Sequence, residues 1–455
     1  MSTSYPPIHV TIILIVALML FATIGSIAQQ PAVIGPLSVD DAVLYALQHN
    51  PMVMHGLQDL QIARLQIHAA HANSLPSANL NINNSYVPSP LSYGAMQIES
   101  SLGGMAQLSV TQPVWPSSRW KAPEASARAK VGISTEALTR TRQQVMYQTR
   151  QAFYQVLTAQ ELLQVDQEAV AVATRQLELS TNTVHAGISA PLDIYQSKAT
   201  LADAQLTLVR AQNILAVSRA VFATQLGLPA GTSITLKPSQ TLPTAPPDVD
   251  LLVKKALSTR PEMTQFNYHR QQILAQMELT RLQQLPLVGL SGSYATSIYG
   301  ANALASSGLT LGLGVAINLF DGGATHVELQ QARLQLSQVD TDARQTELAI
   351  TLDVRQTWLD LQNAQQQLVT AEVQHTAAAE ALRISEVRYT NGEGIILEVE
   401  QARLKFTQAL TAVAQARFQA QLADVQLAYA LGSPAPEISP ITPLPAPLGV
   451  SSRAH

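Results

Sequence analysis

The sequence has no cysteine, few aromatic residues and little charge, and each shortage excludes a class of protein. Without cysteine there are no disulfides, thiolate metal sites, cysteine nucleophiles or acylated lipoprotein N-termini. The net charge of −4 provides no basic excess to neutralise a phosphate backbone, so nucleic acid is not an expected partner. Only 5% of the residues are aromatic and 13% charged, and long segments of Ala, Gln and Leu favour extended helices over a globular core.

The N-terminus carries an apolar run from Val10 to Ala28, followed by a polar, proline-bearing stretch. The run ends in Ser26-Ile27-Ala28, the small-x-small pattern of a signal-peptidase site. This pattern predicts that residues 1–28 are a signal peptide and that the chain is exported. The alternative is an uncleaved membrane anchor, because residues 1–9 contain no Lys or Arg and the run approaches the ~20 residues that span a bilayer.

The rest of the chain is an internal duplication. Short motifs of the first half recur 210 residues later near its start and 205 residues later near its end. We therefore expect one repeat over residues 36–228, a proline-rich linker over 229–248, a second repeat over 249–433 and a proline-rich tail over 434–455. The recurring motifs are Asn50-Pro51 and Arg260-Pro261, Leu75-Pro76 and Leu285-Pro286, and Leu226-Gly227 and Leu431-Gly432.

Each repeat contains a stretch in which apolar and small polar residues alternate, as in a β-strand with two different faces. The predicted hairpins cover residues 77–114 and 287–319. A strand of about 11 residues is long enough to cross a membrane at a tilt. The clearest alternation places one set of side chains toward outer-membrane lipid: Leu309, Leu311, Leu313, Val315 and Ile317. The alternative is two amphipathic hairpins of a soluble sheet.

Four strands in lipid would leave two unpaired edges and cannot close a barrel, so oligomerisation is expected. Two copies would give a barrel of eight strands, and side chains would just fill the interior of such a barrel. Three copies would give 12 strands and begin to leave a passage. The sequence thus predicts a mixed α and β membrane protein with four transmembrane strands per chain.

Long helical segments follow each hairpin, from 117 to about 185 and from 322 to about 388. Each would reach roughly 100 Å if continuous, and each ends near a glycine, Gly187 or Gly392, that can turn the chain back. The returning helices carry heptads that set large residues against small ones, which suits close packing in a helical wall. In the second repeat the seams are Val399, Phe406, Val413, Ala420 and Leu427, and Ala402, Ala409, Ala416, Ala423 and Ala430.

No pattern in the sequence indicates catalysis or a cofactor. His68 and His71 lie three apart on a predicted helix, but without an evident acidic third ligand we interpret them as solvated surface residues rather than a metal site. Gly312 and Gly314 lack the Lys-Ser/Thr of a phosphate loop and fit a strand facing a lumen. We expect no enzyme activity, no cofactor and no metal.

The duplicated order of short helix, Asn/Arg-Pro, helix, Leu-Pro, hairpin, long helix, glycine turn and heptad helix resembles the TolC-like outer membrane efflux protein family. The resemblance covers about residues 36–434. It includes the strand-to-helix junction at 319–323, Leu-Phe-Asp-Gly-Gly. The junction of the first repeat departs from this motif, reading Val114-Trp115-Pro116-Ser117-Ser118. The resemblance implies a homotrimer with a shared 12-stranded barrel and a periplasmic α-helical barrel, which meets a periplasmic adaptor and an inner-membrane transporter.

The resemblance also implies roles for residues at the helical turns. Asp193, Tyr389 and Glu398 fall at positions where the family forms a periplasmic gate. The position where some relatives carry a basic partner is Gly394 here. A simpler interpretation is that the two acids are helix-start carboxylates, favoured by the helix dipole. The implied adaptor contacts are Ala186, Gly187, Ile188, Asn391 and Gly392.

The predicted function is the outer-membrane channel of a tripartite efflux pump, a passive exit duct from the periplasm to the outside. A type I protein secretion duct would use the same tube. A structural or adhesive periplasmic coiled-coil protein would also show export and heptads. The sequence itself does not specify a substrate.

Overall fold

The structure is a computed structural model that describes residues 34–87, 91–93, 96–98, 101–187, 190–237, 248–299, 307–391 and 393–436. The predicted signal peptide and most of the C-terminal tail lie outside these residues. The first repeat runs in the order β1 (Ile34–Leu37), α1 (Val39–His49), α2 (Pro51–Ala72), β2 (Ser77–Val87), β3 (Leu91–Tyr93), β4 (Met96–Ile98), β5 (Ser101–Trp115), α3 (Ser118–His185) and α4 (Leu192–Gln225).

The second repeat has the same order of elements, without counterparts of β3 and β4 in the described residues. It consists of β6 (Ile234–Leu236), α5 (Val249–Thr259), α6 (Pro261–Leu282), β7 (Leu287–Tyr299), β8 (Gly308–Ala316), α7 (Ala324–Thr390) and α8 (Ile396–Ala430). The long helices α3 and α7 have 68 and 67 residues, so each extends roughly 100 Å at 1.5 Å per residue.

Two short segments form structure that the sequence did not predict. β6 lies inside the predicted linker and pairs in parallel with β1, so the linker begins with an ordered strand. β3 and β4 form a small antiparallel hairpin between β2 and β5. The β1–β6 pair and the β3–β4 hairpin both depend on pairing between short segments. The local hydrophobic period of a sequence does not predict such pairing.

The start of α2 and the start of α6 show how the duplicated Asn/Arg-Pro motif works. Asn50 caps α2 by accepting the Met52 N–H at 2.9 Å, and its amide donates to the Gln225 carbonyl at the end of α4, 2.8 Å away. Proline suits the first helical position because its missing N–H would have no partner there. Gly227 follows with φ of +80°, and a Cβ on it would lie 2.4 Å from the His49 carbonyl oxygen. The motif therefore joins the short helices to the end of the returning helix.

In the second repeat Arg260 replaces the asparagine and, itself buried, forms an ionic cluster with two partly exposed carboxylates. Its guanidinium lies 2.8 Å from Asp353 and 3.1 Å from Glu262, which also pairs with Arg140 at 2.9 Å. Arg140 in turn lies over the ring of Tyr429, 4.0 Å from its centroid. The cluster ties α3, α6, α7 and α8 together at one level of the molecule.

The helices pack in two clusters of buried residues that correspond to the two repeats. The first is built on α1 to α4 around Phe153 and Phe222, whose rings meet edge to face with centroids 5.9 Å apart. The second is built on α5, α7 and α8. In α8 the small residues of the predicted heptad seam are all buried: Ala402, Ala409, Ala416, Ala423 and Ala430. These alanines let α8 approach α7 and α3 closely.

One four-stranded sheet has the order β2-β5-β7-β8, with every neighbouring pair antiparallel. β8 ends at Ala316 and not at the predicted Leu319, because its partner β7 begins at Leu287, directly after Pro286, which has no N–H to donate. Ile317 therefore follows the last paired residue and was wrongly placed within the strand. No helix in the described segments combines the length and the apolarity that crossing a membrane requires.

Candidate functional site

One face of the sheet is apolar across all four strands. Directly paired residues of antiparallel strands point to the same face, so the register defines each row. One row across the four strands consists of Leu80, Leu108, Tyr294 and Leu309, each paired with the next. The next rows contain Leu311 and Val110, then Leu313 and Leu290, then Val315 and Val288. These side chains are mostly exposed in the single chain, so this face is built to meet an apolar environment.

The opposite face carries hydroxyl, amide and glycine positions. One row consists of Asn79, Ser109, Ser293 and Thr310, paired in that order. Another includes Ser77 and Thr111, whose hydroxyl oxygens are 2.7 Å apart. The four strands contain no Asp, Glu, Lys, Arg or His. A face of neutral hydrogen-bonding groups suits contact with water, and the two faces together match the wall of a membrane barrel.

Gln112 is a polar residue on the apolar face, since it pairs with Leu290. Its side-chain amide nitrogen donates to the carbonyls of Ser74 and Pro113, at 2.9 and 2.8 Å. The amide thereby turns back toward the chain between α2 and β2. Sequence alternation alone assigned no role to Gln112, because its partner Ser74 lies 38 residues away.

The sheet ends in two strands that have a partner on one side only. Within the described residues, β2 pairs with β5 alone in this sheet, and β8 with β7 alone. β2 and β8 also run antiparallel to each other, because three antiparallel pairings separate them. The free edge of one chain can therefore pair with the other free edge of a second chain without changing the pattern.

At the far end of the long helices, the turn between α7 and α8 is crossed by two ion pairs. Arg388 lies 3.3 Å from Glu398, and Arg403 lies 3.1 Å from Glu386. Arg388 also donates to the Glu393 carbonyl within the turn, at 3.2 Å. The Arg388 and Glu398 side chains are 50% and 44% exposed, so the pair is worth about 0–1 kcal/mol. Such a contact can open at little cost.

The turn between α3 and α4 is held by neutral groups. The hydroxyls of Ser180 and Ser197 are buried and lie 2.8 Å apart. Asp193 lies in the first turn of α4, where its backbone N–H donates to the Ala190 carbonyl at 3.0 Å. Among the described residues Asp193 has no ion-pair partner. The two turns occupy equivalent positions in the two repeats. Ion pairs cross one of them, whereas a hydrogen bond between two serine hydroxyls crosses the other.

The structure separates the predicted gate residues into two environments. Glu398 is paired with Arg388, a residue that sequence reasoning missed because the partners are 10 residues apart across a turn. Tyr389 is half-buried next to this pair. Gly394 lies close to Glu398 and Tyr389. A Cβ on Gly394 would come 3.4 Å from the Glu398 carboxylate and 3.3 Å from the Tyr389 backbone nitrogen. Asp193 belongs to the other turn.

The predicted adaptor contacts lie at the helix ends, as far as the structure describes them. Ala186 and Asn391 are the C-terminal caps of α3 and α7. Gly187 has a φ of +74°, a left-handed conformation that glycine adopts without strain. Ile188 and Gly392 lie outside the described residues.

A two-faced four-stranded sheet joined to helices of nearly 70 residues is the fold of outer-membrane channels with a helical extension. Solved structures share it. The outer membrane protein VceC from Vibrio cholerae has a TM-score of 0.72 at 19% identity, with coverage of 87% of this chain and 96% of that one. The CmeC outer membrane channel of Campylobacter jejuni has a TM-score of 0.71 at 14% identity, with 90% of each chain covered.

The chain belongs to the outer membrane efflux protein family, whose sequence model matches residues 44–228 and 252–433. It is 24% identical to protein CyaE of Bordetella pertussis over 333 residues, which cover 72% of this chain and 70% of CyaE. It is 22% identical to the outer membrane protein TolC of Escherichia coli over 400 residues, which cover 84% and 80% of the two chains. The predicted fold class, the outer-membrane location and the function as an efflux channel are confirmed.

Proposed function

We propose that three copies of this chain form the passive exit duct of a tripartite efflux pump, with a periplasmic adaptor and an inner-membrane transporter as its partners. The observation that carries the proposal is the four-stranded sheet, whose apolar and polar faces both end at two unpaired edges. A barrel wall cannot leave an open strand edge in lipid, so the sheet must close on itself. Three copies give the smallest closed barrel with room for a passage. The long helices then continue the wall into the periplasm.

Cross-linking between the free edges tests this arrangement. Because the sequence has no native cysteine, only the introduced cysteines can form disulfides. Asn79→Cys on β2 is combined in turn with cysteine at Thr310, Gly312 or Gly314 on β8, all on the polar face. Oxidation in membranes is expected to join two and then three chains through at least one of these pairs. Asn79→Cys with Leu311→Cys, on opposite faces, is the control. The trimer proposal fails if no polar-face pair joins chains.

We place the adaptor contacts at the two turns, over Ala186, Gly187 and Ile188 and over Asn391 and Gly392. Exposed turns at the ends of long helices suit a partner contact, because binding residues are often placed on loops that a rigid scaffold positions. A photo-reactive side chain at Ala186 or Asn391 should capture the adaptor in intact cells. The same group at Thr207, in the middle of α4, should capture much less. Equal capture at all three positions would move the contact elsewhere.

We also propose that Asp193, Tyr389 and Glu398 act together in closing the periplasmic end. Around a threefold axis, three Asp193 carboxylates without a cation in their own chain would repel one another and attract cations. Glu398 contributes differently, because Arg388 balances its charge until the pair opens. As helix-start carboxylates alone, Asp193 and Glu398 would add about 0.3–1 kcal/mol each to helix stability and have no effect on current.

Single-channel recordings in planar bilayers separate these possibilities. Asp193→Asn and Glu398→Gln are expected to lower cation selectivity and block by multivalent cations, and Tyr389→Phe to raise the open probability. Asp203→Asn is the matched control, since it removes the same charge further along α4. The gate proposal is wrong if the variants at 193, 398 and 389 behave like the control.

The remaining boundaries are part of the proposal. Residues 1–28 would be removed on export, residues 36–228 and 249–433 would form the repeats, and the segments 229–248 and 434–455 would join and follow them. N-terminal sequencing of the membrane-extracted protein should begin at Gln29. An intact Met1 in the inner membrane would support the uncleaved anchor and contradict the outer-membrane assembly.

A further inference from the structure

The second repeat contains a cleft between its helices α6 and α7, beside the end of α5. The cleft has a volume of about 320 Å³, and ligand pockets start at about this size. An ion pair between Arg270 on α6 and Asp340 on α7 joins the two helices there. The apolar part of the lining includes Leu257, Met263, Phe266 and Val339.

The equivalent space in the first repeat is filled. Leu138 on α3 is 4% exposed and packs against Gly56 on α2, where a Cβ would lie 3.0 Å from the Leu138 side chain. The residue equivalent to Leu138 in the second repeat is Ala343, which lines the cleft. The exchange of leucine for alanine removes the side chain that closes this space, so the cleft stays open between α6 and α7.

The chain leaves α8 at the rim of this cleft. The Thr259 hydroxyl donates to the Leu431 carbonyl at 2.7 Å, and Gly432, with a φ of +67°, lies against Arg260. Thr259 ends α5 and Arg260 precedes α6, the two helices on one side of the cleft. The 19 residues after Pro436 lie outside the described residues. In an extended proline-rich form they would reach roughly 60 Å, whereas the cleft lies within roughly 15 Å of the start of α6.

The equivalent segment of the first repeat returns over its own helices. After α4 the chain forms β6, in which Ile234 is 8% exposed and belongs to the first cluster of buried residues. The second cluster has no such cover from the part of the chain that the structure describes, since its last member is Leu431. By duplication, we expect the segment after α8 to cover the second repeat.

The sequence of the tail suits an apolar cleft better than a strand. Proline has no N–H to donate and interrupts a strand ladder, and the tail carries it at positions 440, 443, 445 and 447. Ile438, Ile441 and Leu444 recur at every third residue. A polyproline II helix has three residues per turn, so in that form these side chains lie along one edge. Proline-rich segments of this kind bind in grooves that contain aromatic side chains.

We propose that residues 438–444 of the C-terminal tail lie in the cleft between α6 and α7 of their own chain, with Ile441 against Met263 and Phe266. The tail thereby fastens α6 to α7 where the ion pair of Arg270 and Asp340 joins them. The inference does not depend on the number of copies in the channel. The competing locations are the cleft of a second copy and the surface of the first repeat, because Ala435 packs against the first cluster of buried residues.

Alkylation of a cysteine in the cleft tests the proposal, because the chain has no native thiol. Ala343→Cys is a small change in the wall of the cleft. It is compared in the full chain with and without Ile441→Asp/Leu444→Asp. We expect a maleimide to react roughly tenfold faster or more when the aspartates are present, because carboxylates are costly to bury in an apolar cleft. Ser337→Cys, at an exposed position of α7, is the control and should react equally in both chains.

Disulfide formation identifies the occupant of the cleft. Mild oxidation should join Ile441→Cys to Ala343→Cys within one chain. Ile441→Cys with Gln345→Cys, nearly opposite on α7, is the control and should stay reduced. A disulfide between two chains would assign the cleft to the tail of a second copy. Without a disulfide, slow alkylation in both chains would mean that another part of the protein covers the cleft, and fast alkylation in both would mean that the cleft is open. Each of these three results overturns the proposal.

Discussion

Placing arginine on the apolar face gives a quantitative test of how the sheet sits in the membrane. The centre of β7 is Ser293, which pairs with Thr310. Leu311 is one residue from this level. Leu313 is three residues away, roughly 10 Å along the strand and roughly 8 Å in depth at a tilt near 40°. The apolar band of such barrels reaches about 12 Å on each side of its middle. Leu313 is therefore inside the band, but closer to its margin.

These depths set the expected cost of each substitution. Leu311→Arg should cost about 2–4 kcal/mol per chain, and Leu313→Arg less, about 1–2 kcal/mol. In a threefold assembly the cost of Leu311→Arg triples to about 6–12 kcal/mol. Thr310→Arg is the matched control, because it introduces the same side chain into the neighbouring position on the polar face.

The assay is the fraction of protein recovered from outer membranes as a heat-modifiable oligomer. We expect a large loss for Leu311→Arg, a smaller loss for Leu313→Arg and near-normal recovery for Thr310→Arg. Tolerance of Leu311→Arg together with failure of Thr310→Arg would mean that the two faces are reversed. Equal recovery of all three variants would mean that the sheet does not sit in lipid.

Two predictions concern the helical part. Gly132→Ala should cost about 1–3 kcal/mol by overpacking, because its Cβ would lie 2.5 Å from the Tyr268 ring. Gly231→Ala, with nothing within 4 Å, should leave thermal melting in detergent unchanged, and equal melting of both variants would contradict the packing. Arg260→Met keeps the alkyl stem but leaves Asp353 without its cation, whereas Glu262 keeps Arg140; because Asp353 is 44% exposed, the expected cost is about 1–3 kcal/mol. Unchanged melting would show that the ionic cluster adds no stability, whereas Arg260→Met/Asp353→Asn should recover part of the loss.

The features predicted from sequence are those with a local period. Alternation at Leu309, Leu311 and Leu313 identified the apolar face of β8. The heptads identified the alanine seam of α8, because burial recurs every seven residues along a helix that packs on one side. Duplication then carried each assignment to the other half of the chain.

Features that depend on distant partners could not be read from the sequence. The end of β8 is set by where β7 starts, and Ile317 was placed in the strand for lack of that information. Gln112 finds its partner in the turn before β2, and Arg388 finds Glu398 across a turn. The strand β6 forms only because β1 is available to pair with it. In each case the deciding contact lies outside the local pattern.

The most direct test of the central claim is the current that the purified wild-type oligomer passes across a planar lipid bilayer. We expect discrete steps in the current. The applied voltage alone should drive them, without any other energy source. If the proposed gate lies at this turn, Arg388→Ala should increase the time spent open, because it removes the Arg388–Glu398 ion pair that crosses the turn. An oligomer that inserts into the bilayer and never conducts, with or without Arg388→Ala, would contradict the assignment of this chain as a channel.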